Sequence, residues 1–437
     1  MLAVRPVPRV QRLIVLARFS QSRLLSTEQV TSSHPVPPPP PSPSSSTHPS
    51  PASKSRPSRL YPRPRPAVSH QHQALPTLPA TFGRNQLLPV SDSTRALLED
   101  IVASFDAPIR YAVAYGSGVF GQDGYAEKKD MGAQAPMLDF IFAVTHPDHW
   151  HSINLHQHPS HYPLHARALG SSFVSKVQEI TPGVWFNTFV PMHGVNIKYG
   201  VTTVDTLCSD LLNWRSLYLA GRLHKPIRII KDDARVRLTQ QVNLTSAVRA
   251  ALLTLPETFT PSSLFSRVAS ISYSGDPRMF LPAENRGKVD NIVRRQEAQF
   301  TELYQRLVVG LPGIRWEGNV IEQDLSSQAR VKHLRKLPEE LLSRVRRNYD
   351  QRMDGAMKRG ADEGVWWLNV AGDPSLSKVL NEGKFDNILS LQMANIVRYP
   401  ATVQTLKGLV SAGLGKSMRY TTQKIGKWWS GSSSKTS

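Results

Sequence analysis

This sequence predicts a mixed α/β (α+β) chain, in which strands and helices alternate ahead of a mostly helical second half and an amphipathic C-terminal segment. Strict alternation over Met137–Val144 puts Leu138, Phe140, Phe142 and Val144 on one face and Met137, Asp139, Ile141 and Ala143 on the other, the pattern of a strand in a sheet. A second apolar run, Arg110–Tyr115, ends in the bend-forming Gly116-Ser117-Gly118. From about Leu238 the apolar spacing lengthens to that of helices.

The 437 residues leave room for roughly two or three domains. Residues 1–30 carry Arg5, Arg9, Arg12, Arg18 and Arg23 among Leu, Val, Ile and Ser, with no acid before Glu28. Such a segment reads as a mitochondrial transit peptide, or else as a plain basic arm. Residues 31–86 are dense in Pro, Ser and His and bury too little apolar surface to offset ordering, which predicts a disordered linker.

The ordered body begins near Leu87. A helix is predicted over Ser93–Phe105, then the strands Arg110–Tyr115 and Met137–Val144, then Val184–Val190 and Val195–Val201. Leu207, Leu211, Trp214 and Tyr218 fall at helical spacing between Asp205 and Gly221, with Gly221 placed to end the helix. The strand Pro226–Ile230 closes a first unit, 87–236. Helices follow over Leu244–Leu255, from Thr260-Pro261 (a cap residue and a first-turn proline), and over Val289–Val308. Residues 237–316 thus read as a helical, winged-helix-like domain, 317–385 as a charged insertion, and 386–437 as a separate tail with no acid beyond Asp386.

Lys and Arg number 53 against 33 Asp and Glu, a net charge of +20. Half of that excess sits in residues 1–90, which hold ten Arg and one Lys against Glu28 alone. Basicity alone fits nucleic acid, an anionic membrane or import equally well. Cys208 is the only cysteine, which excludes an intramolecular disulfide and a Cys-rich zinc site. No run reaches the ~18–20 apolar residues of a membrane-spanning helix.

A strand ending in Gly-Ser, followed by a strand bearing one carboxylate among apolar residues, is how polymerase β-like nucleotidyltransferases assemble their site. Gly116 and Gly118 let backbone approach a triphosphate, and Ser117 with nearby N–H groups can donate to phosphate oxygens. Asp139 then holds a divalent metal, Mg²⁺. That template places acids at alternate positions of one strand, but Ile141 stands where the second belongs. Asp210 and Asp232 are the remaining candidates for that ligand, neither compelling. Lys198 shares a strand face with Asn196 and Gly200 and suits charge on a leaving diphosphate. The same spacing fits a solvated strand lysine.

Seven histidines between His146 and His165 are read as a His-rich loop rather than a zinc site, since Pro147, Pro159 and Pro163 interrupt any helix that would align them. In the tail, Leu414, Met418, Ile425 and Trp428 or Trp429 share one helical face, while Lys416, Arg419, Lys424 and Lys427 supply cations. That is the pattern of an interfacial anchor on an anionic membrane; a helix packed on the body is the alternative.

The blocks YGSGVFGQ, MLDFIFAV with HPDHWHSINLHQHPSHY, IKYGVTT, DLLNWRSLYLAGRLHKPI, SISYSGDPRM and RYPATVQTLKGLVSAGLGKS, in this order, resemble mitochondrial phosphatidate cytidylyltransferases, the translocator assembly and maintenance family. The resemblance covers roughly 85–425 apart from 317–385. It implies a nucleotidyltransferase domain, a winged-helix-like domain and a membrane-contacting tail on the matrix side of the inner membrane. It implies CTP and phosphatidate as substrates, CDP-diacylglycerol and diphosphate as products, and a place in cardiolipin supply. Asp139 and Lys198 would act in catalysis, and Gly116, Ser117, Gly118, Arg222 and Lys225 would bind phosphate. His151, Asn154, His161 and Tyr162 lie in a matching block and would line the cleft. The other classes are a nucleic-acid nucleotidyltransferase, disfavoured by the absence of an aromatic-basic RNA motif, and a non-enzymatic import-assembly factor, which the missing acid would suit.

Overall fold

The computed structural model describes residues 78–79, 81–120, 137–280, 287–352 and 384–433, except for the side chains of 280, 349–352, 384 and 412–433. The chain divides into two compact units, Met1–His70 and Gln71–Ser437, and every described residue belongs to the second. The predicted transit segment and most of the linker lie outside the described residues.

Alternating apolar runs become a five-stranded sheet of β1 (Tyr111–Tyr115), β2 (Leu138–Val144), β3 (Trp185–Met192), β4 (Val195–Thr203) and β5 (Ile227–Lys231), in the order β3-β4-β2-β1-β5. Only β2 and β4 run parallel; the other neighbours are antiparallel. Both faces of the sheet are covered. One face carries Leu138, Phe140, Phe142, Tyr199 and Val201 and packs on α1 (Asp92–Ala103) and on Trp150 of α2 (Pro147–Gln157). The other carries Tyr111, Val113, Ile141 and Phe186 and packs on α4 (Val204–Asn213). Between α2 and β3 lies α3 (Leu164–Glu179).

The second half contains α5 (Ala234–Leu252), β6 (Thr258–Phe259), α6 (Pro261–Ser270), α7 (Lys288–Arg295), α8 (Glu297–Val309), β7 (Ile314–Glu317) and β8 (Val320–Gln323). After these come α9 (Ser327–Leu334), α10 (Glu339–Arg352) and α11 (Lys384–Ser433). A small antiparallel sheet, β6-β8-β7, sits among these helices. Thr260 caps α6 by accepting from Ser263 N, with Pro261 at the first turn, as the sequence predicts.

Three sequence expectations need correction. The helix after Asp205 stops at Asn213 rather than near Gly221, because the Asp210 carboxylate captures the next turn's amides. The expected Val289–Val308 helix is broken at Gln296 into α7 and α8. Residues 317–345, read as part of a charged insertion, pack into the main core through Ile321, Val331, Leu334, Leu337, Leu341, Leu342 and Val345. That core also takes in Phe385, Leu389, Met393, Ile396, Val397 and Ala401 of α11, so the predicted segments 87–236 and 237–316 share one apolar interior. Residues 353–383 lie outside the described residues.

Candidate active site

The strand register builds the centre of the site. Tyr115 of β1 lies opposite Asp139 of β2, and Asp139 lies beside Lys198 of β4, so the three form a row across one face. Lys198 Nζ donates to Asp139 Oδ1 at 2.9 Å, and their side chains are 26 % and 24 % exposed, so the pair is shielded but reachable. The Lys198 ammonium also stands 4.8 Å from the Phe186 ring. Burial is the largest single influence and pulls the lysine's pKa down, but Asp139, Tyr115 and Tyr218 together outweigh it, and the balance lies well above the usual value. Lys198 is therefore a fixed cation, not the solvated strand lysine that spacing alone allows.

Beyond Tyr115 the chain bends at Gly116, whose φ of 93° is left-handed backbone that suits glycine. Val119 N donates to Gly116 O at 3.2 Å, closing a turn that leaves Ser117 exposed and Gly118 half-buried. A Cβ on Gly116 would stand 3.5 Å from Asp139 Oδ2. The predicted Gly-Ser bend and the predicted carboxylate thus adjoin each other.

Neither further acid supplies a second metal ligand. Asp210 is buried and already committed: Oδ1 accepts from Ser216 N, Ser216 Oγ and Leu217 N, and Oδ2 from Leu219 N and Ala220 N. Asp232 pairs with Arg237 and faces Tyr111, at the far end of β1 from Tyr115. Among the described residues no group of three or more His, Cys, Asp or Glu is placed to hold a metal. The donors present still fit magnesium that arrives with a polyphosphate. Lys198 occupies Asp139 Oδ1 while Oδ2 faces the Gly116 bend, and Mg²⁺ commonly takes one or two carboxylates and completes its shell with phosphate and water.

Asp210 shapes the wall beside this row. Its hydrogen bonds hold Trp214 and Leu217 at φ of 54° and 53°, costly backbone for bulky side chains, with roughly 1–3 kcal/mol stored at each. Asn243 of α5 underpins the turn by accepting from Trp214 Nε1 and donating to Ala220 O. The turn delivers Arg222, which lies 3.7 Å over the Tyr218 ring and adjoins Tyr115, and Lys225, which donates to Gly221 O at 2.6 Å and Ser272 Oγ at 2.8 Å. Gly221 makes that closeness possible, since a Cβ there would meet Ser272 Cβ at 2.5 Å and Leu217 O at 2.6 Å. Burial, with Arg222 and Lys288 nearby, pushes the Lys225 ammonium down to about 7. Sequence reasoning offered Asp210 only as a second metal ligand and gave no site role to Tyr115 or Tyr218; the signal for all three was their presence in the blocks DLLNWRSLYLAGRLHKPI and YGSGVFGQ.

His151, Asn154, His161 and Tyr162 do not line this space. They surround Tyr199, whose side chain points to the opposite face of the sheet from Lys198. Asn154 Nδ2 donates to Tyr199 Oη and Tyr162 Oη at 2.9 Å each, His161 Nδ1 bonds Tyr199 Oη at 2.9 Å, and His151 bonds Tyr162 Oη and Gln178 Oε1 at 2.8 Å each. All four are buried, and burial pushes His151 down to about 4, so its ring is neutral at pH 7. The expected His-rich loop is largely helix: Pro147 occupies the first turn of α2, Pro159 opens a short 3-10 turn and Pro163 caps α3. The prolines start helices instead of interrupting one.

The tail candidates Leu414, Lys416, Met418, Arg419, Lys424, Ile425, Lys427, Trp428 and Trp429 fall within α11, but their side chains lie outside the described ones. Before them, Lys407 is buried and donates to Gln178 O and Ile180 O at 3.1 and 2.7 Å, tying α11 to the end of α3. Among the described residues no helix is long and apolar enough to cross a membrane.

A carboxylate-lysine pair beside a glycine bend can hold a metal-bound polyphosphate and offset its charge, and the adjoining wall carries two more basic side chains. Comparison with known proteins agrees with that chemistry. The family model described as mitochondrial phosphatidate cytidylyltransferase matches residues 98–427. Proteins of that name are similar to this chain: 37 % identical over 343 residues in Xenopus laevis, covering 77 % of this chain and 96 % of the relative. The Danio rerio protein is 36 % identical over 349 residues, covering 79 % and 98 %. The Saccharomyces cerevisiae protein is 41 % identical over 232 residues, covering 52 % and 59 %. The match spans both sheets and the helices that enclose the Asp139 row, and this chain belongs to the mitochondrial phosphatidate cytidylyltransferase family.

Proposed function

We propose that the chain carries out its family's reaction, CTP plus phosphatidate to CDP-diacylglycerol plus diphosphate, at the Tyr115–Asp139–Lys198 row. The observation that carries this siting is the Lys198–Asp139 pair adjoining the Gly116 bend. The five-stranded sheet is read as a polymerase β-like nucleotidyltransferase core, and the helices with the small sheet as a winged-helix-like partner.

The nucleophile is a phosphate monoester oxygen, largely ionised at neutral pH, so the protein needs no general base. That oxygen attacks the α-phosphorus of CTP, and the bond to the β-phosphate breaks in line, with diphosphate leaving on the opposite side. Catalysis is then alignment and charge neutralisation. Gly116, Ser117 and Gly118 would cradle the triphosphate, and Asp139 would hold magnesium. Bound there, the metal would neutralise phosphate charge and polarise the α-phosphate. Lys198 orients Asp139 and faces the charge that develops on the leaving diphosphate.

The enzyme would work as a peripheral protein on the matrix side of the mitochondrial inner membrane, after import through residues 1–30, and would supply CDP-diacylglycerol for cardiolipin. The basic, acid-free stretch 414–429 supports contact with an anionic lipid surface, and the relatives are named as mitochondrial. The test is purified protein with Mg²⁺ and α-labelled CTP, offered phosphatidate vesicles or RNA. Label in CDP-diacylglycerol, lost on chelation with EDTA, is expected. Label in RNA, or no turnover with either acceptor, would refute the reading.

A further inference from the structure

Beside the Asp139 row lies a second cluster of cations that the reading above leaves without a ligand. Arg222 and Lys225 come from the turn after α4, Ser272 and Tyr273 from the loop after α6, and Lys288 opens α7. The Lys225 and Lys288 ammonium groups stand 5.0 and 5.4 Å from the centroid of the same Tyr273 ring, near enough for the Lys288 charge to act on Lys225. Further along, Arg278 clasps Asp276 through Nε and Nη2, and Arg222 feels both of them.

Lys225 is the informative member. It is half-buried, yet its hydrogen-bond acceptors are neutral, Gly221 O and Ser272 Oγ, and the charges that act on it are those of Arg222 and Lys288. Gathering like charges around neutral acceptors costs free energy in the unliganded protein, and a bound dianion returns it. The contrast with Lys198 is chemical: Lys198 sits on a carboxylate able to share a metal, whereas Lys225 itself sits on a carbonyl and a hydroxyl. A triphosphate that brings a metal suits the first place. A phosphate that brings none suits the second.

The geometry points to Lys225, Lys288 and Ser272 as the seat of the acceptor's dianionic phosphomonoester, with Arg222 lying between it and the nucleotide. This rests on the cytidylyltransferase reading and adds where the lipid phosphate docks. Two mutually repelling anions would then have separate anchors, as in-line attack between them requires. Lys225 faces Arg222, Lys288, Tyr273 and Ser272, and with its ammonium near 7 a docked dianion draws in a proton there at neutral pH.

The experiment uses the full chain, Mg²⁺-CTP, and phosphatidylcholine vesicles containing phosphatidate. It pairs the KM for phosphatidate with CTP affinity measured by calorimetry without lipid, and with inhibition by added diphosphate. Lys288→Gln and Lys225→Met should raise the KM for phosphatidate about tenfold or more, while CTP affinity and diphosphate inhibition stay within about twofold. Wild type should lose kcat/KM for phosphatidate above about pH 7, and Lys225→Arg, which keeps its charge at every pH, should flatten that fall whatever its absolute rate. Weakened CTP or diphosphate binding at unchanged phosphatidate KM would hand the cluster to the nucleotide and overturn the assignment. An unaltered pH profile in Lys225→Arg would do the same. Absence of lipid product from wild type would sink the underlying activity as well, a result distinct from both.

Discussion

Lys198 and Lys225 show how one residue type serves two ends. The first is held charged by a carboxylate, the second is pushed toward neutrality by burial and like charges. Gly221 sits between the elements that set up this contrast. Gly221→Ala should cost about 1–3 kcal/mol in chemical denaturation, because the clash includes the Leu217 carbonyl, which is fixed backbone. It should also reduce activity further than the loss of folded protein accounts for; unchanged stability and turnover would show that the Ser272 loop has room to retreat. At this scale much of the candidate site's geometry was legible. Gly116, Asp139 and Lys198 follow from a bend at a strand end and from period-two alternation. His151, Asn154, His161 and Tyr162 were not legible as core, because sequence spacing does not say which face of a sheet a helix will cover.

Elements were legible where local patterning decided them. All five predicted strands form, displaced by no more than a residue or two at most ends. The helix ending at Asn213 was missed because one carboxylate, Asp210, outcompetes helical periodicity by taking amides up to ten residues ahead. The hairpin and helices of 317–345 were hidden by charged residues that surround their apolar positions. The longest element, α11, packs into the core through Ala401, is tied to α3 at Lys407, and continues past the described side chains. Deleting 414–437 should therefore leave the core intact and lower turnover on anionic vesicles by about tenfold, with a smaller loss on detergent-dispersed phosphatidate. Equal losses on both would argue that the tail supports the fold and not a lipid surface.

At the scale of the whole molecule, three of the buried histidines among the described residues, His151, His224 and His333, contribute to the response to acid. Burial holds His151 and His333 down to about 4 and His224 to about 3, against an ordinary value of 6.5. Between pH 6.5 and 4 the unfolded chain binds protons that the folded chain refuses, so stability falls as pH falls through that window. Each ring contributes a slope approaching ~1.4 kcal/mol per pH unit. Denaturant melts from pH 7 to 4 should show that loss, and His151→Gln should make it shallower; parallel curves would show that the ring is charged in the fold. The single core that joins the sheet to the second-half helices explains why the Lys225 turn and the Ser272 loop meet at fixed distance. It also explains why the site could not be completed from the first segment of sequence alone.

The siting of the reaction rests most directly on Asp139. Wild type and Asp139→Asn, matched for thermal stability, are compared for transfer of α-labelled CTP into CDP-diacylglycerol with Mg²⁺ and phosphatidate vesicles. A fall in kcat of about a thousandfold or more is expected, from loss of the carboxylate proposed to hold the metal and of the partner that holds Lys198. Turnover within a few-fold of wild type would place the chemistry elsewhere in the molecule.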